Sequence, residues 1–158
     1  MTGSPPQIRN VSDTALWVAI YRAMESERPD AIFRDPFARR LGGERGEAIV
    51  RDMPRARAMA WPMIVRTAVM DEIILRCVQE GARAVVNLAA GLDTRAFRLA
   101  LPPDLTWLHV DLPDIVEVVR ERLAGETPRC AEPIVVEEAA GSGPKDGGHR
   151  PPRAGMTT

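Results

Sequence analysis

Five residues, Ala84-Val85-Val86-Asn87-Leu88, most limit what this chain can fold into. They form an apolar, β-branched run without alternation, which fits a strand buried on both faces, as in a parallel sheet. A small-residue turn, Ala89-Ala90-Gly91, follows at once. Asp93 or Thr94 can then cap a helix carrying Ala96, Phe97, Leu99 and Ala100, which Pro102-Pro103 stops. Thr106 to Val110 reads as a second apolar strand, ending at Asp111. Pro113 opens a helix with Ile115, Val116, Val119 and Leu123 on one face, and Ile134-Val135-Val136 reads as a third strand. Such alternation predicts an α/β fold with a parallel, doubly wound sheet.

Helices precede the sheet. Ser12 and Asp13 are good N-caps for a helix carrying Leu16, Ala19, Ile20, Ala23 and Met24, ending before Pro29. Asp35-Pro36 reads as N-cap plus first-turn proline of a short helix that stops at Gly42-Gly43. A second short helix is expected over 44–52, and a longer one over 57–80 with Ile64, Ala68, Leu75 and Val78 on one side, closing at Gly81. Trp17, Trp61, Trp107, His109 and Cys77 all read as core residues, while Arg95 and Arg98 fall on the expected exposed side of their helix. Only three strands are legible, so the sheet is incomplete, and its bare edges invite self-association with another chain. Residues 1–11 and 139–158 are expected to be disordered, leaving one domain over 12–138. The tail holds five glycines and three prolines and no Val, Ile, Leu or aromatic residue.

Composition narrows the function classes. Basic residues number 21 and acidic ones 22, a formal net charge of −1 that gives no field for nucleic acid or anionic lipid. Two cysteines and two histidines exclude a disulfide scaffold and a multi-histidine metal centre, so no metal is expected. No apolar stretch reaches membrane-spanning length, and the N-terminus lacks a signal-peptide pattern, so the expected location is cytoplasmic.

The chemistry sits in the segment Val85 to Leu99, VVNLAAGLDTRAFRL. Gly91 lets a ligand approach bare backbone, and the following helix start presents free N–H groups. Asp111, at the end of the next strand, can accept hydrogen bonds from both hydroxyls of a ribose. On pattern alone Asp111 is also a good N-cap before Pro113, and Gly91 an ordinary turn glycine. With one glycine where a dinucleotide motif has three, the layout favours S-adenosylmethionine over NAD.

These residues carry a resemblance. N-L-A-A-G-L-D-T-R-A-F-R-L resembles the first cofactor motif of class I S-adenosylmethionine-dependent methyltransferases. More narrowly it resembles the leucine carboxyl methyltransferase-like family and its bacterial O-methyltransferase branch. T-A-L-W at Thr14 to Trp17, F-R-D-P-F-A at Phe33 to Ala38, V-R-T at Val65 to Thr67 and W-L-H-V-D-L-P at Trp107 to Pro113 agree with it. The resemblance spans about Val11 to Leu123. It implies a Rossmann-like fold, S-adenosyl-L-methionine as cofactor, and methyl transfer to a carboxylate or hydroxyl of a small molecule. It further implies that Gly91 and Ala89 line the methionine portion, that Asp111 binds the ribose with Leu112 beside the adenine, and that Arg66 clamps the cofactor carboxylate. Arg22 matches a second basic residue under the resemblance and reads as a surface charge without it. The pattern names no general base.

The sequence departs from the family after Val136. Members place an Asp-Leu pair there and continue through further strand–helix units, whereas here Glu137-Glu138 leads into the glycine-rich tail. The chain is therefore expected to be truncated. The rival to an active enzyme is a non-catalytic or degenerate fragment that folds or works only with a partner chain.

Overall fold

The computed structural model describes residues 11–53, 56–131 and 134–137. Its elements run α1 (Val11–Ser26), α2 (Ala38–Asp52), α3 (Ala56–Gln79), β1 (Ala84–Leu88), α4 (Arg95–Arg98), β2 (Thr106–Asp111), α5 (Pro113–Arg122) and β3 (Ile134–Glu137). The three strands are parallel in the order β1-β2-β3, with Leu88 beside Val110 and Asp111 beside Glu137. The expected α/β architecture, with helices before a partial parallel sheet, is the one observed. The proposed disordered ends and Glu138 lie outside the described residues, except Val11, which already belongs to α1.

The helix ends follow local chemistry, with two corrections. Asp13 does not cap α1. It lies in the first turn, and both carboxylate oxygens accept from Arg45 of α2, at 3.1 and 2.8 Å. Asp35 is not the N-cap of the next helix either: α2 begins at Ala38 with Phe37 as its N-cap, and Asp35 Oδ1 accepts the Phe37 N–H at 3.1 Å in the turn ahead of it. The expected break at Gly43 is a kink inside α2, with φ 57° and ψ −175°, a conformation that a side chain would disfavour. Arg122 of α5 donates to the Leu41 carbonyl at 2.6 Å, tying α5 to the kinked helix. Gly42 and Gly46 bring α2 against α1: a Cβ on Gly46 would lie 2.8 Å from the Leu16 carbonyl oxygen.

The sheet has two unlike faces. Trp107 and His109 of β2, buried at 1% and 5% exposure, point to the helical side. There Trp107 packs with Ala96, Leu99, Leu105 and Cys130, joined by Leu75, Val78 and Val85. Ala19, Leu41, Leu92, Ile115, Val119 and Leu123 tie α1, α2 and α5 together. Trp17, Tyr21 and Ile49 form a third cluster. Each fully buried side chain of this size contributes about 1.5–3 kcal/mol.

The opposite face carries Val86, Leu88 and Val136, which are 60%, 69% and 40% exposed. The expectation that β1 is buried on both faces therefore fails, because no covering layer lies over that side among the described residues. Two further expectations fail. Trp61 is 55% exposed on α3, and Cys77 is exposed while Cys130 is buried, both being free thiols. Neighbours of each on α3 do pack inward, Ala60 and Met63 on the Trp17 cluster and Ile74, Leu75 and Val78 on the Trp107 cluster, so Trp61 and Cys77 are on the sides of the helix that face away.

Candidate functional site

The β1–α4 turn and the end of β2 meet at one edge of the sheet. The Gly91 N–H donates to Asp111 Oδ2 at 2.6 Å, and Asp111 Oδ1 accepts the Leu112 N–H at 2.7 Å. Asp111 thus ties the turn to the backbone just ahead of α5, whose N-cap is Leu112 rather than Asp111. Each carboxylate oxygen still has a second acceptor position, which leaves room for two hydroxyl donors. Gly91 has φ 59°, and a Cβ there would meet only the Ala15 methyl, at 3.7 Å. Ala89 also has positive φ, 49°. That is unusual for a residue with a Cβ, and such strain gathers where a turn must hold one shape.

Above the turn lies a cavity of about 270 Å³. Helix α1 contributes Thr14, Ala15, Val18 and Arg22; α3 contributes Met63, Arg66, Thr67 and Met70; α4 contributes Arg95 and Arg98; the turn, Asp111 and Ile115 complete the wall. Of the six residues proposed from sequence, Arg22, Arg66, Ala89, Gly91 and Asp111 line this one cavity. Leu112 does not; it is the N-cap residue of α5.

The arginines on the wall differ sharply. Arg66 is exposed, and no ion pair involves it among the described residues. Arg22 is not the surface charge its helical position predicts. It is 8% exposed, its Nε donates to Asp35 at 2.9 Å, and its Nη2 donates to the Leu92 carbonyl at 2.5 Å. Arg95 and Arg98 are likewise not on an exposed face. Asp71 of α3 accepts from Arg95 Nε at 2.6 Å and from Arg98 at 2.7 Å, and Arg95 also pairs with Asp93. Helix α4 is a single turn, so both side chains fold back under α3 rather than out to solvent.

Charges shape the titration of this corner. Burial pushes the Asp93 carboxyl up, but the Arg95 guanidinium and backbone N–H, with Arg22 behind, outweigh it, so its pKa ends below the usual carboxylate value. Burial pulls the His109 imidazole down, against the charges of Asp93 and Asp111. His109 is the packed core histidine that its apolar strand predicts.

From sequence Asp93 and Thr94 read only as caps: Thr94 is the N-cap of α4, and Asp93 Oδ1 accepts the Arg95 N–H at 2.7 Å; Asp71 and the apolar wall residues Ala15, Val18, Met63 and Met70 were missed. The V-R-T and T-A-L-W segments flanked several of them, but only folding shows which helix faces the turn.

The sequence profile of the leucine carboxyl methyltransferase family matches residues 15–137. The chain belongs to the leucine carboxyl methyltransferase family. Family relatives include a Parafrankia protein, 44% identical over 130 residues, covering 76% of this chain and 42% of the relative. A Streptomyces coelicolor protein is 38% identical over 130 residues, covering 74% of this chain and 45% of its own length. A Mycobacterium tuberculosis protein is 36% identical over 135 residues, covering 77% and 45% respectively. Each of the three is named a "putative S-adenosyl-L-methionine-dependent methyltransferase". The chain spans less than half the length of these curated relatives.

Proposed function

We propose that this chain carries the S-adenosyl-L-methionine-binding part, over 12–138, of an O-methyltransferase that acts on a carboxylate or hydroxyl of a small molecule. The observation that carries the reading is the 2.6 Å contact between Gly91 N–H and Asp111, at the mouth of a cavity where Arg66 has no ion pair among the described residues. A buried carboxylate beside a bare backbone turn suits a ribose, and an unpaired guanidinium suits an amino-acid carboxylate.

When bound, the cofactor supplies a methyl group already activated on a sulfonium. The protein's task is then to bind, orient and exclude water. Asp111 accepts from the ribose hydroxyls, with Leu112 beside the base. Arg66 holds the carboxylate end. Gly91 and Ala89 let the ligand approach the backbone, while Ala15, Val18, Met63 and Met70 keep that approach dry. Arg22 steadies the turn through Leu92 and borders the ligand. Arg95 and Asp93 neutralise each other, so no acid–base step is assigned to the wall. A cytoplasmic setting without nucleic-acid partners belongs to the same proposal. It is supported by the free thiols and the near-neutral charge; among the described residues no helix is long and apolar enough to cross a membrane.

A second reading has its own support. The exposed Val86, Leu88 and Val136 favour a fragment that associates with another chain, itself included, through the sheet. Calorimetry with S-adenosylhomocysteine separates the two. Saturable binding, weakened by Arg66→Gln and lost in Asp111→Ala, supports a working cofactor pocket. No heat at millimolar ligand would leave the non-catalytic fragment standing.

A further inference from the structure

We propose that Asp35 is a positioning residue that sets the Gly91–Thr94 turn against α1; this rests on the cofactor reading of the cavity. Asp35 stands outside the cavity wall, and its side chain is completely buried. Three elements converge on it. From α1, Arg22 Nε donates to Oδ2 at 2.9 Å. From the turn, the Thr94 hydroxyl donates to the same oxygen at 2.7 Å. From the head of α2, the Phe37 N–H donates to Oδ1 at 3.1 Å. Arg98 of α4 brings its Nε to within 3.8 Å of Oδ2.

The geometry makes Asp35 more than a turn residue ahead of α2. Arg22, held by Asp35, passes its other nitrogen to the Leu92 carbonyl. The turn is therefore gripped twice from behind: at Leu92 through Arg22, and at Thr94 directly. Its front edge is gripped by Asp111 at Gly91. The residues that would touch a ligand, Gly91 to Asp93, lie between these grips, and α1 supplies the facing wall. A carboxylate buried only for stability could give way to apolar packing at little loss. One shared by the ligand turn and the opposing helix instead fixes the width of the cleft.

Two readouts test this in the full chain: hydrogen exchange at residues 91–95, and S-adenosylhomocysteine affinity by calorimetry. Thr94→Val removes the direct grip without touching the wall; Asp35→Asn removes both. Each variant is expected to speed exchange at 91–95, leave β2 amides protected, and weaken binding about tenfold, the scale of one hydrogen bond to a charged group. Thr94→Ser, which keeps the hydroxyl, is expected to restore both readouts. The double variant is expected to bind no worse than Asp35→Asn alone, because both act through one contact. If Asp35→Asn does not fold, the Thr94 pair decides. Wild-type exchange and wild-type affinity in Thr94→Val would overturn the proposal. Absence of binding by the unmodified chain would overturn the cofactor reading instead, and the exchange measurement would still decide whether Asp35 orders the turn.

Discussion

Gly46→Ala is the sharpest single test of how the cavity roof is built. A methyl at this position would sit 2.8 Å from the Leu16 carbonyl oxygen, 3.0 Å from Ile20 Cγ1 and 3.1 Å from the Leu16 carbonyl carbon. Two of these neighbours are backbone, so no rotamer change relieves the clash and α1 must move away. Overpacking of this kind costs about 1–3 kcal/mol. Alanine returns about 0.5–1 kcal/mol in a helix through its lower backbone entropy. The expected net loss runs from about 0 to 2.5 kcal/mol and centres near about 1 kcal/mol, or about 2–4 °C in midpoint for a chain of this size. Thermal unfolding followed by circular dichroism measures it, with Glu44→Ala on the exposed side of the same helix as a control that stays within about 0.5 kcal/mol. A raised midpoint for Gly46→Ala would refute the reasoning, because the helix-propensity gain would then stand unopposed and the close approach would not exist.

Three other outcomes are expected. His109 is held neutral by burial, its folded pKa lying below the ordinary value near 6.5. The unfolded chain therefore binds more protons just below that pH, and stability falls as pH drops from about 6.5; melting midpoints between pH 7.5 and 5.5 check this, and His109→Gln should flatten the slope. Asp71→Asn strips a buried partner from Arg95 and Arg98 and should cost about 3–5 kcal/mol in denaturant titration; a loss under 1 kcal/mol would contradict the ion-pair assignment. Leu88→Thr, on the open face, should leave the midpoint within about 0.5 kcal/mol and shift sedimentation toward monomer; self-association persisting undiminished would remove that face from the interface.

Local chemistry made the strands and the helix breaks legible. The apolar runs at 84–88, 106–110 and 134–136 read as strands because β-branched side chains suit a pleated surface. Gly43 showed itself as a break because its neighbours are helical and it is not. Gly91 and Asp111 could be paired from strand geometry alone, since parallel strands put turn and strand tip on the same edge. What stayed hidden depended on distant partners. Arg22 looked solvated until Asp35 and Leu92 came to it from 13 and 70 residues away. Arg95 and Arg98 looked exposed because a helix was expected to continue where α4 ends after one turn. Val86 and Leu88 looked buried because an apolar strand records the environment it needs, not whether a covering layer is present.

Among the described residues the cavity wall is drawn from Thr14 to Ile115, with nothing from β3 or from the bare side of the sheet. The bare face and the cavity wall nevertheless adjoin in the chain: Leu88 ends β1 on the open side and Ala89 begins the turn that lines the cavity. A layer laid over Val86 and Leu88 would therefore act first on solubility and assembly, and would reach the cavity only through the turn that begins at Ala89.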